Sequence, residues 1–368
     1  MKGSYYGDNS RYLYEWVLIN KPHLKPVWLT SNKNVFKHLD NDSKPVLLQF
    51  SFRAVRFLTQ AKVAAFTNSL KDLSFDSRLI PDSIQLIALR HGRSVKRVRF
   101  ARREHKISQS EVLNRNHESN LIKYVISTSD YISDLQEKCL LIGINKHIVT
   151  GYPRNDALLN PPLGIASDWM DMIAGVKPNH VILYAPTWRH GRESTQFFPF
   201  DDFDKDLLIN FLELTGTLLL FRPHVNDLKY TELNKFLNSF VDSTNMAMMA
   251  SHEQWSDVNS MLPFIDALIC DYSALYHDFL LLDKPIILVP YDMEDFDKQN
   301  GFLYDYKANA PGPIVDSLEK LVGQINDSVV NGDDRFRDKR HKLRDKIHTF
   351  QDDQSSARVA MLIEKIVS

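Results

Sequence analysis

Cysteine is nearly missing from this chain: Cys139 and Cys270 are the only two in 368 residues, and both sit in apolar surroundings. That excludes a disulfide framework and fits a reducing cytosol. No apolar run approaches the eighteen or so residues of a membrane span. The opening MKGSYYGDNS lacks the apolar core of a signal peptide, so the expected location is cytoplasmic. An excess of one charge is also missing: the formal net charge is −1, which carries no nucleic-acid signature. There is no HExxH, no Walker loop, no GxGxxG and no GxSxG, which argues against zinc-protease, ATPase, dinucleotide and serine-hydrolase readings. The histidines are scattered, so no metal site is expected. Asp292, Glu294, Asp295 and Asp297 lack EF-hand spacing and read as a solvated loop. Sequence repeats and low-complexity segments are absent.

What is present is alternation of short apolar runs with helical patterns. Length favours two domains. The run DALICDYSALYHDFLLLDKPIILVP (266–290) holds two strand-length apolar pieces around a helix-length segment opened by Ser273, a good N-cap. It reads as a βαβ unit and implies a parallel sheet, with ligands beyond the carboxyl ends of the strands. Asp271, Tyr272 and Ser273 fall at that edge, and a helix N-terminus behind Ser273 suits a phosphate. An ordinary strand-to-helix turn is the competing reading. Strands are expected at 26–29, 45–50, 83–89, 124–127, 148–150, 180–185 and 216–221. Helices are expected at 9–19, 54–70, 130–140, 317–330, 334–350 and 356–367. A linker-like NPPLG follows residue 159.

Several strand ends carry chemistry. His91 precedes Gly92 at the end of strand 83–89, and a neutral imidazole there can accept a proton from a hydroxyl. Thr187-Trp188-Arg189 and Arg222-Pro223-His224 follow two later strands, where Arg and His can neutralise a diphosphate without metal. A capping or salt-bridging role competes for Arg222, and a satisfied structural histidine competes for His91. Residues 90–106, RHGRSVKRVRFARREHK, carry eight Lys/Arg against Glu104. They are either a solvated basic face or a track for a polyanion or anionic lipid, with Arg93, Lys96, Arg97, Arg99 and Arg103 as its cations.

Taken in order, GYPRND (151–156), YAPTWR (184–189), RPH (222–224), DYSALYHDF (271–279), DKPII (283–287), YD (291–292), GFLYDY (301–306) and APGPIV (310–315) resemble the CDP-glycerol glycerophosphotransferase family of teichoic-acid and capsule polymerases and primases. The opening DNSRYLYEWVL and KPVWLT are similar as well. The resemblance implies an α/β fold of the GT-B type: two Rossmann-like, doubly wound domains around a central cleft, with C-terminal helices crossing back. The expected divisions are an acceptor-side domain at 1–160, a CDP-polyol domain at 161–350 and a returning helix at 351–368. It implies transfer of glycerol phosphate from CDP-glycerol to a hydroxyl of a polyol-phosphate polymer or lipid-linked acceptor. CMP leaves, and no cofactor or metal is required.

By the same resemblance His91 is the general base, and His224 a phosphate ligand or acid. Thr187, Arg189, Arg222, Asp271, Ser273, Ala274 and Asp278 hold the donor, Asp278 at its ribose. The sequence departs from the family at Arg90, where a Trp is usual, at Arg93-Ser94-Val95, and at Ala274, where a second serine is usual. CDP-ribitol as donor, a sugar-nucleotide transferase on the same fold, and a non-catalytic polyanion-binding subunit remain alternatives. Also open are peripheral contact with the inner face of an anionic membrane, and whether the chain stands alone or is a module of a larger polymerase.

Overall fold

The computed structural model describes residues 5–73, 77–92, 95–98, 101, 108–162, 165–173, 175–189, 195–253 and 255–368. The chain divides into two compact units. The first comprises residues 1–93, 98–160 and 346–368, and the second 94–97 and 161–345. The last helix therefore belongs to the first unit, and a short piece of the basic stretch belongs to the second.

Among the described residues the first unit is built on four parallel strands, with a separate parallel pair, β1 (Trp28–Thr30) and β2 (Val46–Leu48). The four are β3 (Val63–Phe66), β4 (Gln85–Ala88), β5 (Ile122–Ser127) and β6 (His147–Val149), in that spatial order. Leu86, Ile87 and Ala88 are buried, as are Val125 and Ile126, the continuous apolar run of a sheet covered on both faces. Residues 54–70, expected as one helix, are not one: a helix spans Phe52–Leu58, then β3, then a 3-10 turn at Leu70–Asp72. The helix stops at Thr59, and Val63-Ala64-Ala65-Phe66 alternates half-buried with buried residues beside β4. The apolar spacing of this stretch fits either period, and strand pairing decides it.

The last helix, Ser355–Val367, packs on the first, Asp8–Asn20, where Val359 and Ala360 join Leu13, Val17, Leu89 and Tyr152 in one buried cluster. The GYPRND stretch fixes its start. Asp156 accepts from the backbone N–H of Ser355 at 2.9 Å and of Ser356 at 2.7 Å, two of the donors that a helix start leaves without partners. Gly151 lies at φ 80°, and a Cβ there would sit 2.3 Å from Ser355 Oγ, so only glycine lets the helix come this close.

Among its described residues the second unit holds five parallel strands: β7 (His180–Tyr184), β8 (Thr217–Phe221), β9 (Ala247–Met249), β10 (Ala267–Cys270) and β11 (Ile286–Leu288). Their order is β11-β10-β7-β8-β9. All five residues of β8 are buried, and β8 pairs with both β7 and β9. Segment 313–315 extends the other edge, with Val315 donating to the Leu288 carbonyl at 2.9 Å. The core on one face gathers Leu219, Phe221, Leu237, Phe240, Ile269 and Leu321. The helix expected after Ser273 is short, a five-residue Leu275–Phe279 followed by a 3-10 turn at Leu280–Leu282. Buried Tyr276 and Phe279 and a left-handed Asp283 leave no room for more turns before β11. The loop expected at 292–297 instead carries a helix, Met293–Asn300.

Leu219→Ala removes a side chain that is 1% exposed from β8, a strand paired on both sides, and unfolding free energy should fall by about 2–5 kcal/mol. Urea melts of wild type and variant check this. A loss under about 1 kcal/mol would show that the site repacks, and that the burial of β8 is not tight packing.

Candidate active site

In the first unit, β4 delivers His91 to the carboxyl edge of its sheet. The ring is 63% exposed, while its Nδ1 meets Oδ2 of Asp8, a carboxylate only 7% exposed. The other Asp8 oxygen accepts from the Asn9 backbone N–H at 2.7 Å and from Arg154 Nη1 at 2.9 Å. Burial alone would raise the Asp8 pKa, but Arg154 and His91 hold it well below the usual carboxylate range. Asn9 donates to the carbonyls of Leu89 at 3.1 Å and Arg90 at 2.8 Å, and its Oδ1 accepts from the Arg154 backbone at 3.0 Å. Gly92 lies at φ 68°, and a Cβ there would fall 2.3 Å from Arg154 Nη2. Asp8, Asn9 and Arg154 were not singled out in the sequence. Each lies in a motif that was (DNSRYLYEWVL and GYPRND), but the first contact is 83 residues away in the chain and has no local signature.

In the second unit, the exits of β7, β10 and β11 are locked together. Arg189 donates through Nε to Asp292 Oδ2 at 2.6 Å and through Nη2 to Asp292 Oδ1 at 2.9 Å, a bidentate pair. Its Nη1 lies 2.8 Å from Asp271 Oδ2 and also meets the Thr187 carbonyl. The guanidinium is stacked among Tyr272, Tyr291 and Phe296. Burial alone would lower its pKa, but the two carboxylates raise it, so its charge is permanent. Asp271 Oδ1 accepts from the backbone of Thr187 at 2.8 Å and of Tyr272 at 2.6 Å. Asp292 is therefore a structural counter-ion and not a solvated loop residue.

The remaining residues singled out in the sequence fall into place as follows. Arg222 donates to the carbonyls of Ala250 at 2.8 Å and Trp255 at 2.9 Å, a role in loop anchoring. His224 stacks on Trp188 with centroids 5.5 Å apart, and its Nδ1 accepts from the Asn226 N–H at 3.1 Å. That leaves the proton of the neutral ring on Nε2. Burial lowers the His224 pKa, and Lys96 and His252 lower it further against the pull of Asp227. Thr187 Oγ1 is buried without a hydrogen-bond partner. Ser273 Oγ accepts from Leu275 N at 3.3 Å, a cap for the short helix, and Ala274 is the residue at its start. Asp278 is 3% exposed and faces Asn259 at 3.4 Å, so a ribose contact would require this side chain to turn outward.

Part of the basic stretch packs within the second unit. Arg97 donates from its backbone to Gly301 at 2.8 Å and from Nε to Phe302 at 3.0 Å, and Leu303 donates back to Val95 at 2.9 Å. Lys96 and Phe302 form an antiparallel bridge, which brings Lys96 into the second unit. Arg93, Arg99 and Arg103 lie outside the described residues. Among the described residues no group of three or more His, Cys, Asp or Glu could hold a metal ion, and no helix is long and apolar enough to cross a membrane.

Two Rossmann-like units, each a parallel sheet with chemistry at its carboxyl edge, are the architecture of the GT-B class. Within it, the chain belongs to the family described as CDP-glycerol:poly(glycerophosphate) glycerophosphotransferase, whose model matches residues 1–365. It is thus an enzyme of the glycerophosphotransferase class. A relative from Staphylococcus aureus (strain NCTC 8325 / PS 47), a teichoic acid glycerol-phosphate transferase, is 26% identical over 99% of this chain and 91% of its own length. A teichoic acid ribitol-phosphate polymerase, TarL, from the same organism is 29% identical over 66% of this chain, and the match spans only 41% of that protein. The solved wall teichoic acid polymerase TagF superimposes with a TM-score of 0.75 at 21% identity, over 99% of this chain and 86% of that one, a likeness of fold.

Arg189→Ala strands two acidic side chains at the strand ends. Stability should drop by about 3–5 kcal/mol, the cost of breaking a buried pair, as read by denaturant melts. A loss below about 1 kcal/mol, the value of a surface pair, would contradict the bracing role. For His224 the lowered pKa has a definite sign. Its neutral form is the one the fold favours, so its contribution is full above ~6.5 and is lost as pH falls through the lower folded value. A proton NMR titration should place its midpoint below ~6.5, and a midpoint above that value would refute the assignment.

Proposed function

We propose that this enzyme transfers glycerol phosphate from CDP-glycerol to a hydroxyl of a polyol-phosphate polymer or lipid-linked acceptor. The observation that carries the reading is the exposed imidazole of His91, gripped on one nitrogen by a buried carboxylate, in a chain of this family. In the proposed reaction Nε2 of His91 accepts the acceptor's hydroxyl proton. The oxygen forms a bond to the β-phosphorus, and the bond from that phosphorus to the bridging oxygen breaks. The electron pair leaves with CMP. Catalysis of this kind is mostly positioning and charge stabilisation, which needs no covalent intermediate.

On the donor side we assign the diphosphate to His224 through its Nε2–H, to Lys96, to Thr187, and to Ser273 with the backbone of Ala274. Arg189, Asp271 and Arg222 shape that edge from behind, since their polar atoms already bind protein groups. The five-residue helix after Ala274 offers a weaker dipole than a full helix, so side-chain cations carry more of the load. No metal or cofactor enters the proposed reaction. The buried thiols of Cys139 and Cys270, neither in a disulfide, accord with a cytoplasmic enzyme, and acceptor capture at the membrane surface is part of the proposal.

The ribitol-phosphate polymerase among the relatives keeps CDP-ribitol as a second donor to be tested. CMP release is measured with CDP-glycerol, CDP-ribitol and UDP-sugars against polyol-phosphate acceptors. The expected result is turnover with CDP-glycerol, and release only from a UDP-sugar overturns the proposal. His91→Ala should lower turnover by about 10²–10⁴ while donor affinity and melting temperature stay near wild type. Full turnover in that variant would remove His91 from the reaction.

A further inference from the structure

We propose that Asp8 is a positioning residue for His91: its buried carboxylate holds the ring's Nδ1–H and thereby presents an unprotonated Nε2 to the acceptor hydroxyl. The inference rests on the reading of His91 as the base and goes one step beyond it, to the residue that makes the ring able to act.

A neutral imidazole carries one N–H, and only the other nitrogen can accept a proton. An exposed ring such as His91 would otherwise sample both tautomers and several rotamers. Asp8 removes that freedom. An ionised carboxylate can only accept, so the ring atom against it must be the donor. The carboxylate itself cannot swing away. Its Oδ1 is held by Asn9 N and Arg154 Nη1, and both Asp8 and Arg154 are 7% exposed. Asn9 ties the same corner to the end of β4 through the Leu89 and Arg90 carbonyls. Three chain segments therefore converge on one imidazole: residues 8–9, residues 89–92 and Arg154.

Backbone strain marks the same corner. Asp8 (φ 58°), Arg90 (φ 61°) and Gly92 (φ 68°) are all left-handed, and two of the three are not glycine. For Asp8 and Arg90 such a conformation is strained, and it persists where surrounding structure enforces it, often at functional sites. A surface ion pair would need none of this. Arg154 has a second part in the device. It keeps Asp8 anionic, so the acceptor's proton stays on His91 and the carboxylate stabilises the imidazolium without taking the proton.

The test uses the whole chain with CDP-glycerol and a glycerol-phosphate oligomer, following CMP release for Asp8→Asn, His91→Ala and the two combined. Asp8→Asn should lower kcat by about 10²–10⁴ with KM for CDP-glycerol within about threefold of wild type. The combined variant should be no slower than His91→Ala alone, because Asp8 acts only through the ring. Nitrogen-15 NMR of labelled histidine should show the Nδ1–H tautomer of His91 in wild type and its loss in Asp8→Asn. Near-wild-type kcat in Asp8→Asn, or losses that multiply in the combined variant, overturns the proposal while leaving His91 as base. Wild-type turnover in His91→Ala overturns the base reading and this inference with it. Asp8→Asn strands the Arg154 charge. If that variant fails to fold, Asp8→Asn with Arg154→Met removes both charges, and wild-type turnover there is equally fatal.

Discussion

Arg189 is the fixed point of the second unit. A guanidinium this buried must be paired, because an unmatched charge out of water costs several kcal/mol. It is paired twice, with Asp271 at the end of β10 and with Asp292 after β11, and it arrives from the end of β7. Three strand exits are thus held at one depth by one cation. The aromatic rings of Tyr272, Tyr291 and Phe296 close over it, and Tyr306 donates to the Asp271 carbonyl at 3.0 Å. Such an assembly adds little net stability over a well-packed apolar one. What it adds is a rigid rim, beside which His224, Lys96 and Ser273 are set.

The first unit solves the same problem with the opposite sign. There the buried anchor is an anion, Asp8, and the cation Arg154 and the ring of His91 come to it. The GYPRND stretch supplies the supporting parts from within six residues: Gly151 opens space, Arg154 pairs with Asp8 and Asp156 caps the last helix. One short stretch of sequence thereby couples the geometry at His91 to the docking of the last helix.

Much of the fold was legible in the sequence because parallel strands buried on both faces write themselves as short apolar runs. β7, β8, β10 and β11 and the helix Asp130–Leu140 with its Ser129 cap all read this way. β3 did not, since a four-residue strand of Val, Ala, Ala and Phe after a real helical turn satisfies both periods. The ordered motifs gave the family, and with it His91 and His224 as candidates. They could not separate residues that face solvent from residues that brace the loops. Arg189, Arg222 and Asp278 look like ligands by position, and only the partners they find across 19 to 103 residues of chain show them turned inward. Asp8 was invisible for the same reason: an aspartate near a first helix gives no local hint of a histidine 83 residues on.

The returning helix bears on how the polypeptide can be cut. Leu13, Val17, Leu89 and Tyr152 meet Val359 and Ala360 in one cluster, and Asp156 is spent on the backbone of Ser355 and Ser356. A protease nick or a stop codon shortly before residue 355 would leave an apolar groove open to water and the half-buried Asp156 carboxylate without its donors. The damage would begin at the far end of the chain yet fall on the unit that carries His91. These residues follow the second unit along the chain, but in the architecture they belong with residues 8–20.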